Sequence, residues 1–179
     1  MEPNPIDALE IWKNELIKNR GGIILDLSPR LSKEQCIELK DELKRILPDY
    51  KQTWEWSSQG RGRVDRLSVW LGSVAGENTK SRYVRNHPKE LQKSIVIESE
   101  QLPWENETLP LENTNVEVGE TLSIVDPALI SSGLENAWLN SKNSEGRWIR
   151  KSGRRPLFIQ SKKLIEDGEN YSLISESGI

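Results

Sequence analysis

Tyr83, Arg85, His87 and Lys89 fall at alternate positions, so an extended segment sets all four side chains on one face. Histidine, tyrosine and lysine transfer protons, and arginine or lysine stabilises the charge that develops on a phosphodiester during cleavage. Together they are the residue types of a metal-independent ribonuclease.

His87 is the only histidine and Cys36 the only cysteine. A serine or cysteine nucleophile thus has a single imidazole to serve as base. Cys36 itself lies on the apolar face of an expected helix, where a thiol packs rather than reacts. A disulfide framework within the chain is excluded, as is every zinc pattern that needs several cysteines or paired histidines, and no metal is expected. No cofactor is expected either: Gly60-Arg61-Gly62 is followed by neither the lysine nor the helix of a phosphate-cradling loop. Glu98 with Glu100, and Asp26 with Asp65, are acid pairs by residue type alone, and solvated carboxylates account for them. The chain leans away from catalysis.

A larger group points to a polyanion. Arg61, Arg63, Arg66, Arg82, Arg85, Arg147, Arg150, Lys151, Arg154 and Arg155 are interleaved with Trp54, Trp56, Trp70, Tyr83 and Trp148. RNA-binding sheets stack bases on aromatic rings and neutralise phosphates with such cations. The net charge of -3 conceals strong segregation. Residues 61–93 carry eight basic and three acidic side chains, a net of +5, and residues 142–155 carry six against one, again +5. Between them, residues 98–120 hold seven glutamates and no base, a net of -7. Segregation of this kind bears on partners and steering rather than on fold. It also sets up a competing arrangement, because glutamates folded across the basic segments would neutralise the surface offered to nucleic acid. Arg61-Gly62-Arg63-Val64-Asp65-Arg66-Leu67 lacks the glycine–aromatic alternation of an RNA-recognition motif, so composition carries this reading rather than a motif.

The elements that position these residues follow from periodicity and caps. Asn4, Pro5 and Asp7 start a helix over about 5–19, with Ile6, Leu9, Trp12 and Leu16 at helical spacing and Gly21 as its stop. Residues 22–27 form a short apolar run that predicts a buried strand. Ser32 and Gln35 make a capping box for a second helix, whose apolar face ends at Pro48. Tyr50, Trp54 and Trp56 alternate with polar residues, and residues 64–71 supply the second arm of a hairpin. Residues 73–93 are weakly patterned, with a short helix expected at 89–93, and residues 94–97 predict another strand. This is the order of a split βαβ, or ferredoxin-like, sheet.

Pro103 and Pro110 make the acidic stretch a loop or linker. Beyond it, strands are expected at 121–125, 147–150 and 156–159, a short helix after Asp126-Pro127, and a last hairpin of 163–165 with 171–174 around Asp167-Gly168. The expected fold is therefore α+β, organised as an α+β core with its N-terminal helix over 1–97, an acidic loop over 98–120, and a mainly β extension over 121–179 packed on the same domain. The chain's 179 residues suit that arrangement.

No run approaches the roughly 20 apolar residues of a membrane span, and the N-terminus lacks a basic start followed by an apolar stretch, so a cytoplasmic protein without membrane contact is expected. The leading functional expectation is a non-catalytic nucleic-acid-binding or ribonucleoprotein accessory protein, with RNA preferred to DNA. The alternatives are a protein-interaction subunit or inhibitor that uses the acidic loop and, third, the metal-independent ribonuclease. Composition leaves the oligomeric state open.

Overall fold

The computed structural model describes residues 5–18, 21–59, 63–87, 89–90, 93–105, 111–112, 121–141, 146–149, 157–160 and 173–174. Helix α1 (Pro5–Lys18) begins on a proline, whose missing N–H costs nothing in a first turn, and sets Asp7 and Lys18 at the dipole ends that favour them. Strand β1 (Gly22–Leu27) follows. Helix α2 (Lys33–Ile46) starts at the expected capping box: Gln35 N donates to Ser32 Oγ at 3.2 Å, and Ser32 N donates to Gln35 Oε1 at 2.9 Å. Its Cys36, Leu39, Leu43 and Ile46 are buried at the spacing of one helical face.

Strands β2 (Gln52–Ser58) and β3 (Arg66–Gly72) form the expected hairpin. β3 also pairs antiparallel with β1. β1 and β2 therefore run parallel on either side of β3 with α2 as their crossover, which is a split βαβ unit. Gly72 closes it at φ 67, where a Cβ would stand 2.7 Å from the Gly21 carbonyl oxygen.

After β3 the sheet leaves the ferredoxin-like path. Residues 73–93 contain a strand, β4 (Ser81–Arg85), which pairs parallel with β2, and β5 (Ile95–Ser99) returns antiparallel to β4. The order is β1-β3-β2-β4-β5, so the later strands extend the sheet on the β2 side and not beside β1. The expected helix at 89–93 falls partly outside the described residues.

Register assigns the two faces. Ile23, Leu25, Leu27, Trp54, Trp56, Leu67, Val69, Leu71, Tyr83 and Ile97 share one face and join α2 in a single hydrophobic core. Ile24, Asp26, Arg66, Ser68, Trp70, Glu55, Arg82, Val84, Val96 and Glu98 share the other, which is largely open.

The C-terminal half is built on that core. A second sheet runs β10-β7-β9-β8-β6; its longer strands are β7 (Thr121–Ile124), β8 (Gly146–Ile149) and β9 (Leu157–Gln160), edged by two-residue β6 (Leu111–Glu112) and β10 (Leu173–Ile174). The first arm of the expected last hairpin and its turn lie outside the described residues. Between the strands, α3 (Pro127–Ser132) is capped by Asp126, which accepts from Ala128 N at 2.9 Å, and stops at left-handed Gly133. A helix that the sequence reading missed follows, α4 (Glu135–Ser141). α3 packs on β2 and β4, and Val125, Leu129, Leu134, Trp138, Trp148 and Phe158 belong to the same core as Trp54 and Leu43. The result is an α+β fold in which both halves share one interior.

Candidate functional site

The arginines expected to meet nucleic acid are engaged with acids of the same chain wherever they are described. Arg63 Nε lies 2.9 Å from Asp65 Oδ1, and Arg66 Nε 3.4 Å from Asp26 Oδ1. Arg82 bridges Glu98 at 2.7 Å and Glu55 at 3.3 Å, with its guanidinium 5.9 Å from the centre of the Trp70 ring. Arg85 reaches Asp126 at 3.4 Å, and Arg147 reaches Glu112 at 3.5 Å. Lys80 also meets Glu105 at 3.5 Å. Glu98, Glu105 and Glu112 all come from the acidic stretch, so part of it neutralises both basic segments internally. Arg61, Arg150, Lys151, Arg154 and Arg155 lie outside the described residues.

The aromatic half of that expectation is redistributed as well. Trp54, Trp56 and Trp148 are buried in the core, where their burial stabilises a lean interior. Trp70 alone of the five proposed stacking residues sits on the open sheet face, half-buried beneath Arg82.

The alternating set of Tyr83, Arg85, His87 and Lys89 is not assembled into a site. Tyr83 and Arg85 do share a face of β4, but it is the inward one: Tyr83 is fully buried and Arg85 is tied to Asp126. His87 stands beyond the strand end, where its Nδ1 accepts from Glu90 N at 3.0 Å and closes a local turn. Lys89 is exposed. No group of three or more metal-ligating side chains is present among the described residues.

A sizeable opening lies elsewhere among the described residues, between α1, β1 and the start of α2. This cleft holds about 810 Å³ and is walled by Ala8, Leu9 and Trp12 of α1, by β1, and by Leu31 and Leu39. The volume falls within the range of ligand-binding clefts. Its lining exposes large apolar surface: Trp12 is 62% accessible and Ile24 52%. Helical spacing groups Trp12 with the apolar Leu9 and Leu16, and the apolar run at 22–27 predicts a buried strand. The structure corrects both: β1 is an edge strand, and α1 stands off from it so that Leu9 and Leu16 are buried while Trp12 is left at the opening. The only forewarning was the adjacent pair Ile11-Trp12, which makes the apolar stripe of α1 wider than its packing needs.

Among the described residues, two titrating groups are strongly shifted, both by burial. Burial pushes the Glu135 carboxyl up to about 7 against a backbone hydrogen bond that lowers it. Burial, and then the nearby Glu34 carboxylate, push the Cys36 thiol up to about 11. Neither group lines the cleft. No helix among the described residues is long and apolar enough to cross a membrane. Compared with known proteins, the chain matches no protein-family model, no curated protein and no solved structure.

Proposed function

We propose that this chain is a non-catalytic protein-interaction module whose capture surface is the cleft between α1 and β1. The observation that carries this reading is the 62% exposure of Trp12 at the mouth of an apolar cleft. An aromatic ring left in water forgoes on the order of 2 kcal/mol that burial provides, and a contiguous apolar opening rimmed by polar residues is characteristic of binding surfaces. Arg82, Arg85 and Arg147 support it from the other direction, since their partly buried pairings with acids of the same chain leave less free positive charge for a polyanion. The acidic stretch, which the sequence alone offered as the contact, is partly committed to those same arginines.

Selection of a random peptide library on the full-length chain tests the proposal. The expected result is a set of peptides whose binding is lost in Trp12→Asp and kept when Arg63 and Arg66 are both replaced by alanine. Failure to select peptides, together with salt-dependent affinity for mixed-sequence RNA that the double alanine variant loses, would return the nucleic-acid reading.

A further inference from the structure

We propose that the cleft receives an extended segment of a partner protein, which adds as a further strand to the outer edge of β1 and sets a basic side chain against Asp26. The inference rests on the interaction-module reading and specifies the partner's conformation and charge.

The cleft is shaped by a strand edge. Every residue from Ile23 to Ser28 lines it. Consecutive strand residues point to opposite sides of a sheet, so a cavity beside one face alone meets every second residue. One that meets them all runs along the edge itself. The six residues of β1 make that edge about 20 Å long.

The edge also dictates what can fill it. Among the described strands β1 pairs with β3 alone, and β4 and β5 extend the sheet at its far end. A strand edge presents backbone N–H and C=O groups that need partners once water is excluded, which an acyl chain cannot supply and a second strand can. Edge strands are guarded most strongly by lysine or proline, and Gly-Ile-Ile-Leu-Asp-Leu has neither, its one charge being Asp26. Across the opening, Ala8, Leu9 and Trp12 form an apolar wall for the incoming side chains.

Charge selects a partner over a second copy. The charged residues at the cleft are Glu15, which is already paired with Lys18 at 2.9 Å, Arg30, and Asp26 on the β1 edge itself. The contact of Asp26 with Arg66, at 3.4 Å, is between two well-exposed side chains and leaves the carboxylate accessible. β1 contains an acid and no base, so the β1 of another copy brings Asp26 nothing to pair with, whereas a strand carrying lysine or arginine complements it.

The test uses the full chain and an octapeptide of alternating valine and lysine, blocked at both ends, with two isomers N-methylated on alternate residues. A strand turns only one set of its N–H groups toward β1, so the two isomers should differ at least tenfold in affinity while carrying the same charge. Amides of residues 22–27 should gain protection from hydrogen exchange, and Asp26→Asn should weaken binding severalfold. Equal affinity of the two isomers, or protection confined to other residues, overturns strand addition. So does concentration-dependent protection of 22–27 without peptide, which assigns the edge to a second copy, or occupation of the cleft by laurate with those amides still exchanging. Library peptides that need Trp12 but tolerate both methylation patterns would discard the strand and keep the interaction module; absence of peptide binding of any kind discards both.

Discussion

Arg85 Nη1 lies 3.4 Å from Asp126 Oδ2, joining β4 to the cap of α3 across 41 residues of sequence. The arginine side chain is 14% exposed and the carboxylate 1%. The same carboxylate accepts from the Ser58 hydroxyl on β2 and from Ala128 N, so one acid holds two strands of the first sheet and the first turn of α3. An arginine in this position is a structural cation. Removing one partner of a buried pair strands the other, which typically costs about 3–5 kcal/mol.

Asp126→Ala is therefore expected to lower unfolding stability by about 3–5 kcal/mol. In urea denaturation the fluorescence and circular dichroism of the intact chain should change in one coincident transition, because both halves share the core around Trp54, Leu129 and Trp138. A loss under about 1 kcal/mol would show that water replaces the pair at little cost.

Stability should also depend on pH through Glu135. Its folded-state pKa of about 7 lies above the ordinary carboxyl value of 4.5 because burial penalises the charged form. The unfolded chain releases this proton first as pH rises. The contribution is complete below pH 4.5, falls between there and about 7, and is absent above. The slope is on the order of 1 kcal/mol per pH unit in that window. Denaturant midpoints measured across it, for the native chain and Glu135→Gln, should diverge as pH rises, the variant losing less. Parallel curves would remove Glu135 as the source.

Cys36 should behave as packing. With its pKa near 11 and its side chain in the core, it holds little thiolate at neutral pH. Alkylation by iodoacetamide at pH 8 is expected to follow unfolding, with the rate rising steeply through the urea transition. Fast labelling of the folded chain would place the thiol at the surface.

What could be read from the sequence was local. Ser32 and Gln35 are three residues apart, and both of their hydrogen bonds form within one turn, so α2 was visible in the residue types. Asp126-Pro127 marked the start of α3 in the same way. β4 was not visible because its inward residues Ser81 and Arg85 meet distant polar partners, Gln101 and Asp126, which destroys the apolar alternation of a strand. The pairing of Arg82 with Glu98 and of Arg147 with Glu112 depends on which strands become neighbours, and segment charge cannot report that. The edge position of β1 was hidden for the same reason: Gly-Ile-Ile-Leu-Asp-Leu suits a central strand, and only the placement of β4 beside β2 leaves it open.

Trp12 and Leu43 offer the sharpest contrast between a side chain kept for binding and one kept for folding. Leu43 is fully buried beneath the sheet, and its truncation to alanine should cost about 2–5 kcal/mol through lost transfer energy and the cavity left behind. Trp12 is as apolar as Leu43 but mostly in water, so most of its burial energy is not used in the isolated chain. Trp12→Ala should shift stability by less than about 1 kcal/mol in urea denaturation while abolishing selection of cleft-binding peptides. A stability loss equal to that of Leu43→Ala would place the ring in the folding core after all, and the surface that defines the proposed function would go with it.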